Sequence, residues 1–161
     1  VNLSCDQDVA EASVERLREL QERYFGNEEI ALRYAWGLFN LSCNQDVAEA
    51  EASVERLREL QERYSGNEEI AVTYAKGLVN LSCDQDVAEA SVERLKGLHE
   101  QYCGNEEIAL RYAKGLYNLA EKQTPQEAQI IIPKIESLCQ KYPENEDVKE
   151  ILNALEKLQD R

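Results

Sequence analysis

The stretch Asn27–Cys43 reads NEEIALRYAWGLFNLSC; it returns as NEEIAVTYAKGLVNLSC over Asn67–Cys83 and begins again as NEEIALRYAKGLYNL at Asn105. Ile30, Ala31, Tyr34, Ala35, Leu38 and Leu41 recur at spacings of three and four, the mark of one apolar helix face. Asn27 stands where an N-cap belongs, behind Gly26 and ahead of Glu28 and Glu29, whose charges favour a first helical turn. The copies differ at four places: Leu32/Val72/Leu110, Arg33/Thr73/Arg111, Trp36/Lys76/Lys114 and Phe39/Val79/Tyr117. Wound at about 100° per residue from Leu32, Arg33 falls near ~100°, Trp36 near ~40° and Phe39 near ~340°, so the variable places share an arc of about 120°. The apolar residues take the opposite arc. One face is held by packing and the other differs.

Between these copies lies a second helical pattern. Asp8–Tyr24 carries the stripe Val9, Ser13, Leu17, Leu20 and Tyr24, with Glu15, Arg16, Glu19, Glu22 and Arg23 turned to water. Asp8 and Glu11 have capping-box spacing at its start. Asn-Leu recurs at Asn2, Asn40, Asn80 and Asn118, in steps of 38, 40 and 38 residues. The longer step reflects VAEAEASVE at 47–55, two residues more than VAEASVE at 9–15. The chain thus divides into repeats over about 2–39, 40–79 and 80–117 and a divergent C-terminal capping unit over 118–161.

In that last unit Thr124-Pro125-Gln126-Glu127 forms a capping box with Pro at the first helical position. Pro133 falls inside the helix that follows and is expected to kink it. Pro143 is expected to start the final helix, whose seam is Val148, Ile151, Leu152, Leu155 and Leu158. Its charged residues, Glu146, Asp147, Lys149, Glu150, Glu156 and Lys157, suit the outer face of a terminal cap. No strand or hairpin pattern occurs. The expected fold is all-α, a single solenoid domain of antiparallel helix pairs. Val1–Cys5 matches Val79–Cys83 and the chain has no Met, so it is expected to be a fragment of a longer array that begins on the last turn of a helix.

Helix pairs of this length resemble tetratricopeptide repeats, whose unit is a helix-turn-helix of about 34 residues. Ala31, Tyr34, Ala35 and Leu38 occupy the slots of that family's first-helix motif. Ser13, Leu17, Leu20 and Phe25 fit its second-helix motif, as do Ile131, Ile135, Leu138 and Pro143. The match is to spacing more than identity: the signature Trp and Gly are both Ala, and the Pro persists only as Pro143. Extra residues between the motifs, as from Leu78 to Ser91, imply a longer first helix and turn. The resemblance implies a right-handed superhelix whose first helices line a concave, ligand-contacting surface.

Composition narrows the function. A formal charge of -14 disfavours nucleic acid and anionic membrane surfaces, which call for clustered Lys and Arg. No apolar run approaches the ~20 residues of a membrane helix. The five cysteines are odd in number and lack a CxxC pair; Cys5, Cys43 and Cys83 share one repeat position, about one repeat apart. They read as small, semi-buried residues of a reduced, cytoplasmic protein. The one histidine, His99, takes the slot of Gln21 and Gln61 on a charged face and is expected at the surface. No nucleophile–base pair, phosphate loop or metal-ligand spacing occurs. CDQDVAE at 5–11 lacks the central Gly and distal Glu of a calcium loop and reads as a helix cap. No catalytic residue, cofactor or metal is expected.

What remains is a non-enzymatic protein–protein interaction scaffold. Its partner-binding groove is expected to be lined by Leu32, Arg33, Trp36, Phe39 and Asn40, by Val72, Thr73, Lys76, Val79 and Asn80, and by Leu110, Arg111, Lys114, Tyr117 and Asn118. The aromatic and Arg residues have the composition of interaction surfaces, and the three Asn side chains can each donate to and accept from an extended backbone. The bases favour an acidic, extended peptide with an apolar anchor. Drift on an unused surface is the competing explanation for the variable stripe. Against it, Asp8–Tyr24 is unchanged in the next repeat apart from the inserted pair, although Lys96, Gly97, His99 and Gln101 do change in the third. The alternative function is a structural spacer or self-assembling array, associating through its incomplete N-terminal repeat.

Overall fold

The computed structural model describes the backbone over residues 3–159 and side chains over 8–158. Helix starts are set by asparagine. The backbone N–H of Ile30, Ile70, Ile108 and Val148 donates to the Oδ1 of Asn27, Asn67, Asn105 and Asn145 at 3.1, 3.1, 3.0 and 3.2 Å. Each bond satisfies a donor that a helix terminus otherwise leaves open. These caps open α2 (Glu28–Ser42), α4 (Glu68–Leu81), α6 (Glu106–Ala120) and α9 (Glu146–Gln159). The intervening pattern forms α1 (Leu3–Arg23), α3 (Val47–Arg63), α5 (Ala88–Gln101), the single turn α7 (Pro125–Ala128) and α8 (Ile132–Lys141). Among the described residues there is no strand, and no helix is long and apolar enough to cross a membrane.

The chain forms two compact units, Val1–Asn80 and Leu81–Arg161. In the first, α2 packs against both α1 and α3. Ala31, Ala35 and Leu38 are fully buried there, with Val54 and Leu57 of α3. In the second, α5 packs on α6, while α9 lies against α6 and α8. Ile108, Leu116, Ile135, Val148 and Leu155 form its core. Burying one such side chain is worth about 1.5–3 kcal/mol, so the repeated apolar face is what holds each helix in place.

Glycine sets how closely the helices approach. A Cβ at Gly37 would lie 2.9 Å from Val14 Cγ2, and one at Gly77 would lie 3.0 Å from Val54 Cγ2. At Gly115 it would lie 2.5 Å from Leu95 Cδ1. The constant Gly in WGLF, KGLV and KGLY is therefore a packing residue, since a Cβ there would press on the Val or Leu of the paired helix.

Several local expectations change. Asp8 is not a cap: Leu3 to Arg23 is one continuous helix, with Asp8 exposed within it. The same motif caps α3, where Glu49 N–H donates to Asp46 Oδ1 at 3.0 Å. Before α5 it makes a turn closed by Asp86 N–H on Asp84 Oδ1 at 3.0 Å, and the helix starts later with no side-chain cap. The motif supports helix, cap or turn, and the chain path around each copy selects one. Of the tail matched to a repeat end, Val1 and Asn2 lie outside the described residues.

Pro133 does not kink a continuous helix. The break precedes it at Gln129–Ile131, and Pro133 sits in the first turn of α8, where its missing N–H costs nothing. Pro143 lies in a turn, and Asn145 caps α9. Cys43, Cys83 and Cys103 are exposed thiols because they stand in the turns beyond helix ends; Cys139 alone of the described four is half-buried. The Cys5 side chain lies outside the described residues.

Candidate functional site

The stripe residues sit on α2, α4 and α6, opposite the buried Ala and Leu of each helix. Arg33, Trp36, Asn40 and Asn80 are exposed. Leu32, Phe39, Lys76, Val79, Arg111, Lys114, Tyr117 and Asn118 are half-buried. Val72, Thr73 and Leu110 are buried, at 7%, 2% and 8% exposure, and contribute packing in place of open surface. Thr73 tolerates this because its hydroxyl donates to the Glu69 carbonyl of its own helix at 2.8 Å. Trp36 keeps 44% exposure.

In the first unit α2 and α4 are tied at both ends. Asn67 Nδ2 donates to Glu28 Oε2 at 2.8 Å near their N-termini, and Asn80 Nδ2 reaches Cys43 Sγ at 3.0 Å near their C-termini. N-end to N-end and C-end to C-end means that α2 and α4 run parallel. In the second unit Asn145 Nδ2 donates to Glu106 Oε2 at 3.4 Å, which aligns α9 beside α6 in the same sense. Between them opens a cleft of about 320 Å³ lined by Lys114, Tyr117, Asp147, Glu150, Ile151 and Ala154.

The α9 contributors were missed in the sequence because the last repeat has lost the NEEIA wording. Aligning Asn145 with Asn105 would have found them, since Ile151 and Ala154 then fall on Arg111 and Lys114. The asparagine ladder also has other work. Asn118 Nδ2 donates to Ser82 Oγ at 2.9 Å, as Asn80 does to Cys43, so these amides tie a helix to the neighbouring turn.

Charge on the stripe is locally balanced. Arg33 pairs with Glu29 at 3.0 Å and Arg111 with Glu107 at 2.9 Å, each one turn back on its own helix. In the α6–α9 cleft Lys114 is accompanied by Asp147 and Glu150. The bases expected to favour an acidic peptide are thus accompanied by carboxylates at these three positions.

His99 is not a surface residue. Half-buried, it stacks on Tyr112 with ring centroids 5.8 Å apart and meets the edge of Tyr142 at 6.0 Å. Its Nδ1 is buried without a protein hydrogen-bond partner. Burial, aided by Lys141 and opposed by Glu100, holds its pKa below the ordinary histidine value. Its counterpart Gln21 is 3% exposed and donates from Nε2 to Tyr64 Oη at 3.3 Å. Tyr64 Oη also accepts from Gly26 N–H at 3.2 Å, and Tyr142 Oη donates to the Cys103 carbonyl at 2.7 Å. This slot lies in a buried seam where a tyrosine fastens one repeat to the turn of the one before. A charged residue at i+1, Glu22, Glu62 or Glu100, concealed it in the sequence.

Among the described residues no three His, Cys, Asp or Glu side chains converge as a metal site would require. Comparison with protein-family models, curated proteins and solved structures finds no match to this chain.

Proposed function

We propose that this chain is a non-enzymatic interaction scaffold that holds an extended peptide or protein segment on the variable faces of its first-type helices. The α2–α4 surface and the α6–α9 cleft are its contact regions. A tetratricopeptide-like solenoid, with these faces on its concave side, belongs to the same reading. Trp36 is the observation that carries it: a large aromatic left 44% exposed at the centre of a face whose core-side neighbours are fully buried. Exposed aromatics of this kind supply most of the energy at peptide interfaces. The support extends to an apolar anchor on the ligand; the ion pairs of Arg33 and Arg111 remove most of the support for an acidic one.

Trp36 is the chain's one tryptophan, so its emission reports on this face alone. Extended peptides with a Leu or aromatic anchor, in neutral, acidic and basic versions, are titrated while Trp36 emission and acrylamide quenching are followed. The expected result is a blue shift with reduced quenching, dependent on the anchor and only weakly on peptide charge. Replacing Trp36 and Tyr117 by Ala should abolish binding, followed for this tryptophan-free variant by the anisotropy of a dye-labelled peptide, and leave helicity intact. If no peptide moves the emission of the parent, or if the double variant binds the labelled peptide as the parent does, the groove reading fails.

A further inference from the structure

Ser13–Tyr24 and Ser53–Tyr64 are identical in sequence, yet Ser13, Leu20 and Tyr24 are exposed where Ser53, Leu60 and Tyr64 are buried. In α3, Ser53, Leu60 and Tyr64 are 6%, 3% and 9% exposed. In α1 the same stripe is open: Leu20 is 42% exposed, Tyr24 49% and the neighbouring Val9 62%. The seat that covers the α3 copy is visible within the molecule. Leu60, Arg56 and Arg63 line a small cavity with Arg18 and Gln21 of α1 and Tyr34 of α2, and Tyr64 Oη is bonded to Gln21 and Gly26.

An equivalent seat recurs on α8 and α9. Counting from the Asn caps, Ile132, Cys139 and Leu152 take the places of Val14, Gln21 and Tyr34. Those three are 5%, 3% and 4% exposed, whereas Ile132, Cys139 and Leu152 all remain partly open. Glu136, exposed, replaces Arg18, so a carboxylate stands where the incoming stripe would bring Arg16, Glu19 and Arg23, two cations against one anion.

We propose that two copies of this chain associate through unlike faces, the α1 stripe of one seated on the α8–α9 surface of the other. The contact repeats the helix packing that α3 already makes within the first unit, with an apolar centre and an improved charge match. Because the two faces differ, the association is heterologous and leads to chains or rings. It does not rest on the peptide-binding reading.

Sedimentation velocity of the full chain over a concentration series tests it. The expected result is a mass that rises from one chain to two or more. Leu20→Glu breaks the stripe and Glu136→Arg reverses the charge of the seat; both positions are exposed, and circular dichroism melts check that each variant folds. Each should weaken association roughly tenfold or more. An equimolar mixture of the two should recover a complex, because each keeps the face that the other lacks. A parent that stays monomeric throughout overturns the proposal. So does a Glu136→Arg variant that associates like the parent while Leu20→Glu does not, which would mean α1-to-α1 pairing. Failure of the mixture to recover overturns it as well.

Discussion

Gly97 and Gly115 lie in facing helices of the second unit, and alanine should act on them in opposite directions. Gly97 is exposed in the interior of α5, with no atom within 4 Å of an added Cβ. Replacement by Ala there gains helix propensity alone, about 1 kcal/mol. Gly115 would gain the same propensity, but its Cβ would meet Cδ1 of the fully buried Leu95 at 2.5 Å, so that side chain must shift within the core. Overpacking of that kind costs about 1–3 kcal/mol, leaving a net loss of up to roughly 2 kcal/mol. At about 2–4 °C per kcal/mol for a chain of this size, Gly97→Ala should raise Tm by a few degrees and Gly115→Ala should lower it. Thermal and urea unfolding followed by circular dichroism measure both. Gly97→Glu, which restores the residue of the sister repeats, should gain less than Ala. It places a carboxylate within one turn of Glu93 and Glu100, each worth a few tenths of a kcal/mol of repulsion. A Tm that rises in Gly115→Ala would refute the close-approach argument, and one that falls in Gly97→Ala would mean that α5 has a contact at this position.

Tyr64→Phe removes the hydroxyl that accepts from Gln21 and Gly26 and should cost about 1 kcal/mol, whereas Tyr24→Phe, in identical sequence but exposed, should be neutral in urea unfolding. Asn145→Ala should destabilise the second unit by about 1 kcal/mol through loss of the α9 cap, seen as early exchange of the α9 amides. His99 is held below its ordinary pKa of 6.5 in the fold, so the unfolded chain takes up its proton first. Stability from this group is therefore complete above about pH 6.5 and is lost as pH falls from there toward the folded value. His99→Gln, the residue of the sister repeats, should flatten the difference in Tm between pH 7.5 and pH 5.5; an unchanged slope would place the titration elsewhere.

The helices were legible because their causes are local. An Asn before an acidic pair caps a helix wherever it stands, and three-four spacing of Ala, Leu and Tyr marks the buried face without knowledge of the neighbour. Asn27, Asn67 and Asn105 behave accordingly, and so does the core of each helix they open. The candidate surface was legible by the same logic, as the arc that packing leaves over. Its charge was only partly legible: the i,i+4 pairs of Arg33 and Arg111 are local, but Asp147 and Glu150 arrive from a diverged repeat.

Repetition within the chain separates the two kinds of information. CDQDVAE at 5–11 is helical, while at 83–89 it forms a turn and only then enters a helix. Ser13, Leu20 and Tyr24 are open where Ser53, Leu60 and Tyr64 are buried. Identical residues have identical propensities, so these differences come entirely from what stands beside them. Sequence determined that these segments form amphipathic helices and which of their faces is apolar. Burial, the seat of Tyr64, the half-buried His99 and the closeness that requires Gly115 depend on a second surface. That surface comes from residues as many as 43 positions away, brought into contact only when the helices pack.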